Sequence, residues 1–203
     1  MTAGLRHGPL GPNCVHLCVD MQQLFAAPYP WTVPWLDRIL PNVELLCTRD
    51  PGRTVFTRFL PPRSPDDAGG AWRRYYRKWE EVTLDRVGTQ AVELVAPLAR
   101  FAPPAAVIDK SVYSPWLTPA LPTLLTEGRV DTLIVSGGET DVCVLATVLG
   151  AIDRGYRVVL VRDALCSSSD RTHDDLIDLY TTRFDMQIEV ADLAEVLSDW
   201  QPG

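Results

Sequence analysis

The sequence predicts an α/β fold: a parallel sheet with helices packed on both faces. Six short runs of apolar, largely β-branched residues are spread along the chain, and segments with apolar residues at helical spacing lie between them. Strands that are apolar at nearly every position are buried on both faces, and strand, helix, strand repeated this often pairs the strands in parallel. With 203 residues, 46% of them apolar, and no internal repeat, the chain reads as a single domain over 1–203 with one sizeable core.

The first strand falls at residues 14–19 (CVHLCV), followed by a helix at 35–48. Residues 54–57 (TVFT) form the second strand. The stretch 59–70, full of Pro, Asp and Gly, is the one long irregular segment, and such loops usually serve function or an interface. It leads into 71–80 (AWRRYYRKWE), where four aromatics interleave with four bases. This segment reads as a lid helix with its aromatics packed on the body, or less readily as a stacking platform for nucleic acid. Strands then follow at 105–108 (AAVI), 132–135 (TLIV), 157–161 (RVVLV) and 187–190 (QIEV), with helices at 89–100, 119–127, 142–154 and 172–183.

Lys and Arg number 19 against 26 Asp and Glu, a formal charge of −7, which is the wrong sign for a nucleic-acid binder or a polybasic membrane protein. Pro9, Gly11, Pro12 and Asn13 interrupt the region where a secretion signal needs an apolar run, so a cytoplasmic protein contacting neither membrane nor nucleic acid is expected. The cysteines, Cys14, Cys18, Cys47, Cys143 and Cys166, are odd in number and scattered, which argues for reduced thiols. None of His7, His16 and His173 has a metal-ligand spacing with another His or Cys, and Cys14 and Cys18 lie four apart within a strand, so no metal is expected.

In open parallel sheets ligands bind beyond the carboxyl ends of the strands. Three polar residues stand there: Asp20 after the first strand, Lys110 after the third and Cys143 after the fourth. Each also has a plain structural reading, as a turn former, a solvated lysine and a small core residue. Gly137 and Gly138 break the fourth strand, Thr140 or Asp141 can cap, and Cys143 then enters the first turn of an apolar helix. A thiol there faces the positive end of the helix dipole, which lowers its pKa and favours the thiolate. No histidine is placed to act as its base, which leaves Asp20, with Lys110 stabilising the anions. Cys166 is the rival nucleophile, but Ser167 to Asp170 read as a turn and cap rather than an apolar helix.

An aspartate in DMQ, a lysine in KSVYS and a cysteine in GGETDVCV, followed by GYRVVLVRDA, occur here in the order found in the isochorismatase-like cysteine hydrolases, and the chain resembles that family over nearly its whole length. The resemblance implies a three-layer α/β/α sandwich on a six-stranded parallel, Rossmann-like sheet. It also implies a homo-oligomer, dimer or tetramer, that hydrolyses C–N bonds of small amides, ureido compounds or lactams without a cofactor. By the same resemblance Asp20, Lys110 and Cys143 form a catalytic triad. It further implies a cis peptide between Gly138 and Glu139 and an oxyanion hole formed by the amides of Glu139 and Cys143. The mechanism expected of such a site is attack of the thiolate on a carbonyl, giving a thioester that water then hydrolyses.

Nicotinamidases of that family carry metal-binding histidines after the second strand, where this chain has Phe59 and Pro61 in TRFLPP. Metal-dependent nicotinamide hydrolysis is therefore disfavoured. Two alternatives remain open: a vinyl-ether hydrolase using Asp20 as general acid, and a non-catalytic oligomeric binding scaffold of the same fold. Gln22, two residues past Asp20, is placed to orient a substrate or the lysine, or to cap a turn. Phe25, Phe59, Trp72, Tyr113 and Trp116 are candidate walls for the substrate, and each taken singly reads more readily as core packing. Asp163 reads as a structural acceptor.

Overall fold

In a computed structural model describing residues 5–201, the strands are β1 (Cys14–Val19), β2 (Thr54–Phe59), β3 (Ala106–Lys110), β4 (Thr132–Gly138), β5 (Arg157–Cys166) and β6 (Ile188–Ala191). They form one sheet in the order β3-β2-β1-β4-β5-β6, every pair parallel. The ends of the 1–203 unit, residues 1–4 and 202–203, lie outside the described residues. The longer helices are α1 (Leu36–Arg49), α2 (Gly70–Lys78), α5 (Ala120–Glu127), α6 (Leu145–Ile152), α7 (Asp170–Thr182) and α8 (Leu193–Asp199), with single turns α3 (Leu84–Val87) and α4 (Ala96–Ala99). Among the described residues no helix is long and apolar enough to cross a membrane.

Alternation along the strands divides the core into two layers. On β1, Cys14 and Cys18 face α1, α4 and α8, whereas Val15, Leu17 and Val19 face α5, α6 and α7. Burial of β1 on both faces accounts for its continuously apolar run, His16 excepted. That imidazole is completely buried, with Nε2 2.7 Å from Ser136 Oγ, and burial lowers its pKa to about 3.

The sequence reading of 89–100 as one helix is wrong. The stretch contains a 3-10 turn (Thr89–Val92) and the single turn α4, with extended backbone between them. Its backbone pairs with the chain after β1: Glu93 O accepts from Gln23 N and Val95 N donates to Met21 O, and this tertiary pairing overrides the helical periodicity. Helix α8 was not anticipated. It is held by a capping box between Asp192 and Glu195, and Asp163 accepts the Leu193 amide at 2.8 Å, a structural role for that aspartate.

Nor do Gly137 and Gly138 end β4, which runs through both. The strand shifts register against β5 between Val135 and Gly137, and Gly137 has φ of 103°. A Cβ on Gly137 would stand 2.1 Å from the Val19 carbonyl oxygen, so glycine is what lets β4 close on β1 where the chain leaves the sheet.

Two outcomes follow from this packing. Gly137→Ala should lose roughly 3 kcal/mol or more of unfolding free energy in a urea titration, because both the close approach and the backbone conformation exclude a side chain. His16 is neutral when folded but protonates near its ordinary pKa when unfolded. Its contribution is therefore present above about pH 6.5 and is lost as pH falls toward its folded value. Thermal melts should show the midpoint falling over that window, and less steeply in His16→Gln.

Candidate active site

The strand order reverses beside β1: β2 and β3 lie on one side of it, β4, β5 and β6 on the other. The crevice at the carboxyl ends of β1 and β4 is thus the place where an open α/β sheet binds ligands. Asp20 leaves β1 with φ of 51°, a left-handed conformation that aspartate tolerates better than most residues. Its amide donates to the Thr57 carbonyl at 3.2 Å, and the Thr57 hydroxyl donates to Asp20 Oδ1 at 2.6 Å.

Lys110 ends β3, two strands from β1, a gap of about 9.5 Å that only a long side chain can cross. Its Nζ donates to Asp20 Oδ2 at 2.7 Å and to Val112 O at 3.3 Å, and lies 3.4 Å from Cys143 Sγ. It also stands 5.0 Å from the centre of the Phe59 ring. Asp20, Lys110 and Cys143 are 2%, 3% and 6% exposed, so the three groups meet out of bulk water.

Cys143 does not enter an α-helix directly. Residues Thr140–Val144 form a π-helical turn in front of α6, closed by Val144 N donating to Glu139 O at 3.0 Å. The peptide between Gly138 and Glu139 is cis. Thr140 donates to Cys166 O at 3.1 Å and its hydroxyl oxygen lies 2.8 Å from His173 Nδ1, which ties the turn to β5 and α7.

The expected low thiol pKa is also corrected. Burial and the facing Asp20 carboxylate push the Cys143 thiol well above its ordinary value, and Lys110 offsets only part of this. A helix terminus cannot compete with desolvation at such depth. Burial alone would lower the pKa of Lys110, but Asp20 and Cys143 outweigh it, and the ammonium titrates above the usual lysine range. The resting site therefore holds a thiol beside a carboxylate–ammonium pair.

Above Cys143 opens a cavity of about 260 Å³. Phe25, Phe59 and Tyr113, expected as walls, line it, and so do Trp31, Tyr75 and Trp79, which sequence reasoning did not single out. The α2 aromatics Trp72, Tyr75, Tyr76 and Trp79 recur at helical spacing on one face, a signal that could have identified the helix as the roof. They turn inward onto Phe59, Trp31 and Tyr113, which leaves no exposed stacking platform.

Three expected contacts are absent from the wall. Trp72 stands behind it, packed edge-on against Tyr113 at 4.8 Å. Trp116 is buried on the α6 side, donating to Thr147 O at 2.7 Å and touching Gly150, so it braces the helix that follows Cys143. Gln22 is fully buried, and its amide exchanges hydrogen bonds with the Phe59 backbone and donates to Val92 O at 2.7 Å. With both ends of the amide engaged by backbone, Gln22 clamps the end of β2 and does not face the cavity. The rival Cys166 is buried against Gly137, its thiol raised by burial.

With this geometry in view, the isochorismatase domain model matches residues 14–193. The chain belongs to the isochorismatase family. It is 30% identical over 161 residues to N-carbamoylsarcosine amidase of Arthrobacter sp, covering 76% of this chain and 59% of that protein. It is 28% identical over 139 residues to maleamate amidohydrolase of Pseudomonas putida, covering 66% of this chain and 62% of the relative. The chain thus spans about three fifths of the length of each of these two relatives. Its fold also matches a crystal structure of a cysteine hydrolase from Pseudomonas syringae pv. phaseolicola 1448A, with a TM-score of 0.78, 24% identity and 98% of both chains covered.

Charge coupling within this isochorismatase-family site sets the pH response of the thiol. Asp20→Asn should move the midpoint of Cys143 alkylation to lower pH, since the carboxylate raises it, and Lys110→Met should move it to higher pH. Iodoacetamide rates between about pH 7 and pH 11, followed by peptide mass mapping, read both directions, faster than wild type at each pH in Asp20→Asn and slower in Lys110→Met.

Proposed function

We propose that the protein is a metal-independent cysteine amidohydrolase that cleaves the C–N bond of a small amide, carbamoyl or lactam substrate, with Asp20, Lys110 and Cys143 as its catalytic residues. The observation that carries this reading is the buried contact of Lys110 Nζ with Asp20 Oδ2 at 2.7 Å and Cys143 Sγ at 3.4 Å, beneath a cavity that Cys143 lines. Membership of a family whose relatives include named amidases supports it. Phe59 and Pro61, which offer no ligating side-chain atoms, support the metal-independent form.

As the substrate carbonyl closes on Sγ, the Cys143 proton passes to Asp20 and the S–C bond forms. The oxyanion is received by the backbone amides of Glu139 and Cys143. Collapse breaks the C–N bond while Asp20 returns the proton to the departing nitrogen. The thioester is then attacked by water, which loses a proton to Asp20, and the S–C bond breaks. That proton finally restores the thiol. Lys110 stays protonated throughout and stabilises whichever of carboxylate and thiolate is charged.

The high resting pKa fits this scheme, because the proton moves only as the nucleophile is used. An ammonia-release screen over small primary amides and carbamoyl compounds, with ring opening of lactam analogues followed by mass, should find turnover. Asp20→Asn should lower kcat by about 10² to 10⁴, and Cys143→Ala should abolish the acid-quenched thioester seen by intact mass. Full turnover in Cys143→Ala would sink the nucleophile reading.

A further inference from the structure

The cavity wall carries a second message, in its charge. Its faces are aromatic, and the one ionisable side chain on its wall besides Cys143 and the phenols Tyr75 and Tyr113 is Glu139. Among the described residues no Arg, Lys or His lines it. The Lys110 ammonium below is engaged by Asp20, Cys143 and Val112 O, so it is not available to a substrate anion.

Trp31 is the hub of the box, with its ring centre 6.2 Å from those of Phe25 and Trp79 and 5.9 Å from that of Tyr75. The Glu139 carboxylate accepts the Ser168 amide through Oε2 at 2.7 Å, and among the described contacts Oε1 has no hydrogen-bond donor. Burial raises the Tyr75 and Tyr113 hydroxyls, and the negative charge of Glu139 adds a smaller contribution to each. Aromatic rings and one carboxylate lining the same cavity attract an organic cation twice over, through the ring quadrupoles and through charge. A substrate carboxylate meets like charge and finds no cationic partner.

We infer that this cavity selects amides whose non-reacting end carries an alkylammonium group, with Glu139 and the Trp31–Tyr75–Trp79 box as the specificity determinants. The inference takes the space above Cys143 as the substrate site proposed above, and it specifies the substrate class. In a cavity of about 260 Å³ a trimethylammonium-sized group fits beside an amide. The small volume sets the ligand's size and the aromatic-acidic wall its sign.

The test uses ligands matched in shape and different only in charge: choline, its neutral tert-butyl carbon isostere and tert-butylacetate, with binding read by calorimetry and by tryptophan fluorescence. Choline should bind at least about tenfold more tightly than the isostere, and tert-butylacetate should be weakest. Glu139→Gln keeps an oxygen to accept the Ser168 amide while removing the charge, and should cut the choline-to-isostere ratio about tenfold. Trp79→Leu, which leaves Glu139 in place, should lower the same ratio by removing a ring face.

Equal or reversed affinities in the wild-type protein overturn the inference, as does a ratio unchanged in both folded variants. A paired assay of ammonia release from betaine amide and tert-butylacetamide separates this from the hydrolase reading. Selective choline binding with neither amide cleaved keeps the specificity and counts against the hydrolase reading. Faster cleavage of tert-butylacetamide keeps the hydrolase and overturns the cation preference.

Discussion

The buried pair of Asp20 and Lys110 is the constraint on which the rest of this site depends. Removing two charges from water costs several kcal/mol for each ion, which is offset only when the pair's geometry is good and every remaining hydrogen-bonding capacity is met. Here Thr57 completes the carboxylate from β2, and Val112 O and Cys143 Sγ surround the ammonium. Four elements, β1, β2, β3 and the π-turn after β4, must therefore arrive at one point together. Loss of either partner strands the other charge in an apolar interior, so the pair couples the site to the integrity of the sheet.

Cys143 takes its chemical character from this pair rather than from its helix. A surface thiol at a helix start would be acidified by the dipole, but at this depth desolvation and the Asp20 charge dominate. The π-turn sets where the sulfur stands, while Lys110 moderates how hard it is to ionise. Trp116, though outside the cavity, contributes by bracing Thr147 and Gly150 on the helix behind Cys143.

The aromatic cluster plays two parts with one set of side chains. Phe59, Trp72, Tyr76 and Leu24 pack as a third apolar cluster that holds α2 against the body, and the same layer presents Trp31, Tyr75 and Trp79 to the cavity. Helix α2 is anchored to the body through this cluster. Its outward bases, Arg73, Arg74, Arg77 and Lys78, keep the opposite face in water. The acidic Glu139 at the far wall completes a lining whose sign is opposite to that of the lid's exterior.

The sequence by itself determined the α/β class, the six strands and the polar residues at their carboxyl ends, because strands buried on both faces demand unbroken apolar runs and a parallel sheet places ligands at one edge. The motif order made Asp20, Lys110 and Cys143 candidates before any distance was known. Only the tertiary structure decided what depends on neighbours distant in sequence. The 89–100 stretch gave up its helix to pair with the backbone after β1, and Gln22 turned from the cavity to clamp β2. Trp116 and Trp72 went to packing while Trp31 and Trp79 took the wall. Periodicity reports which face of an element is apolar, but not what that face meets. The thiol's pKa likewise follows from its depth and from a carboxylate 123 positions away in the chain, neither of which is written in local spacing.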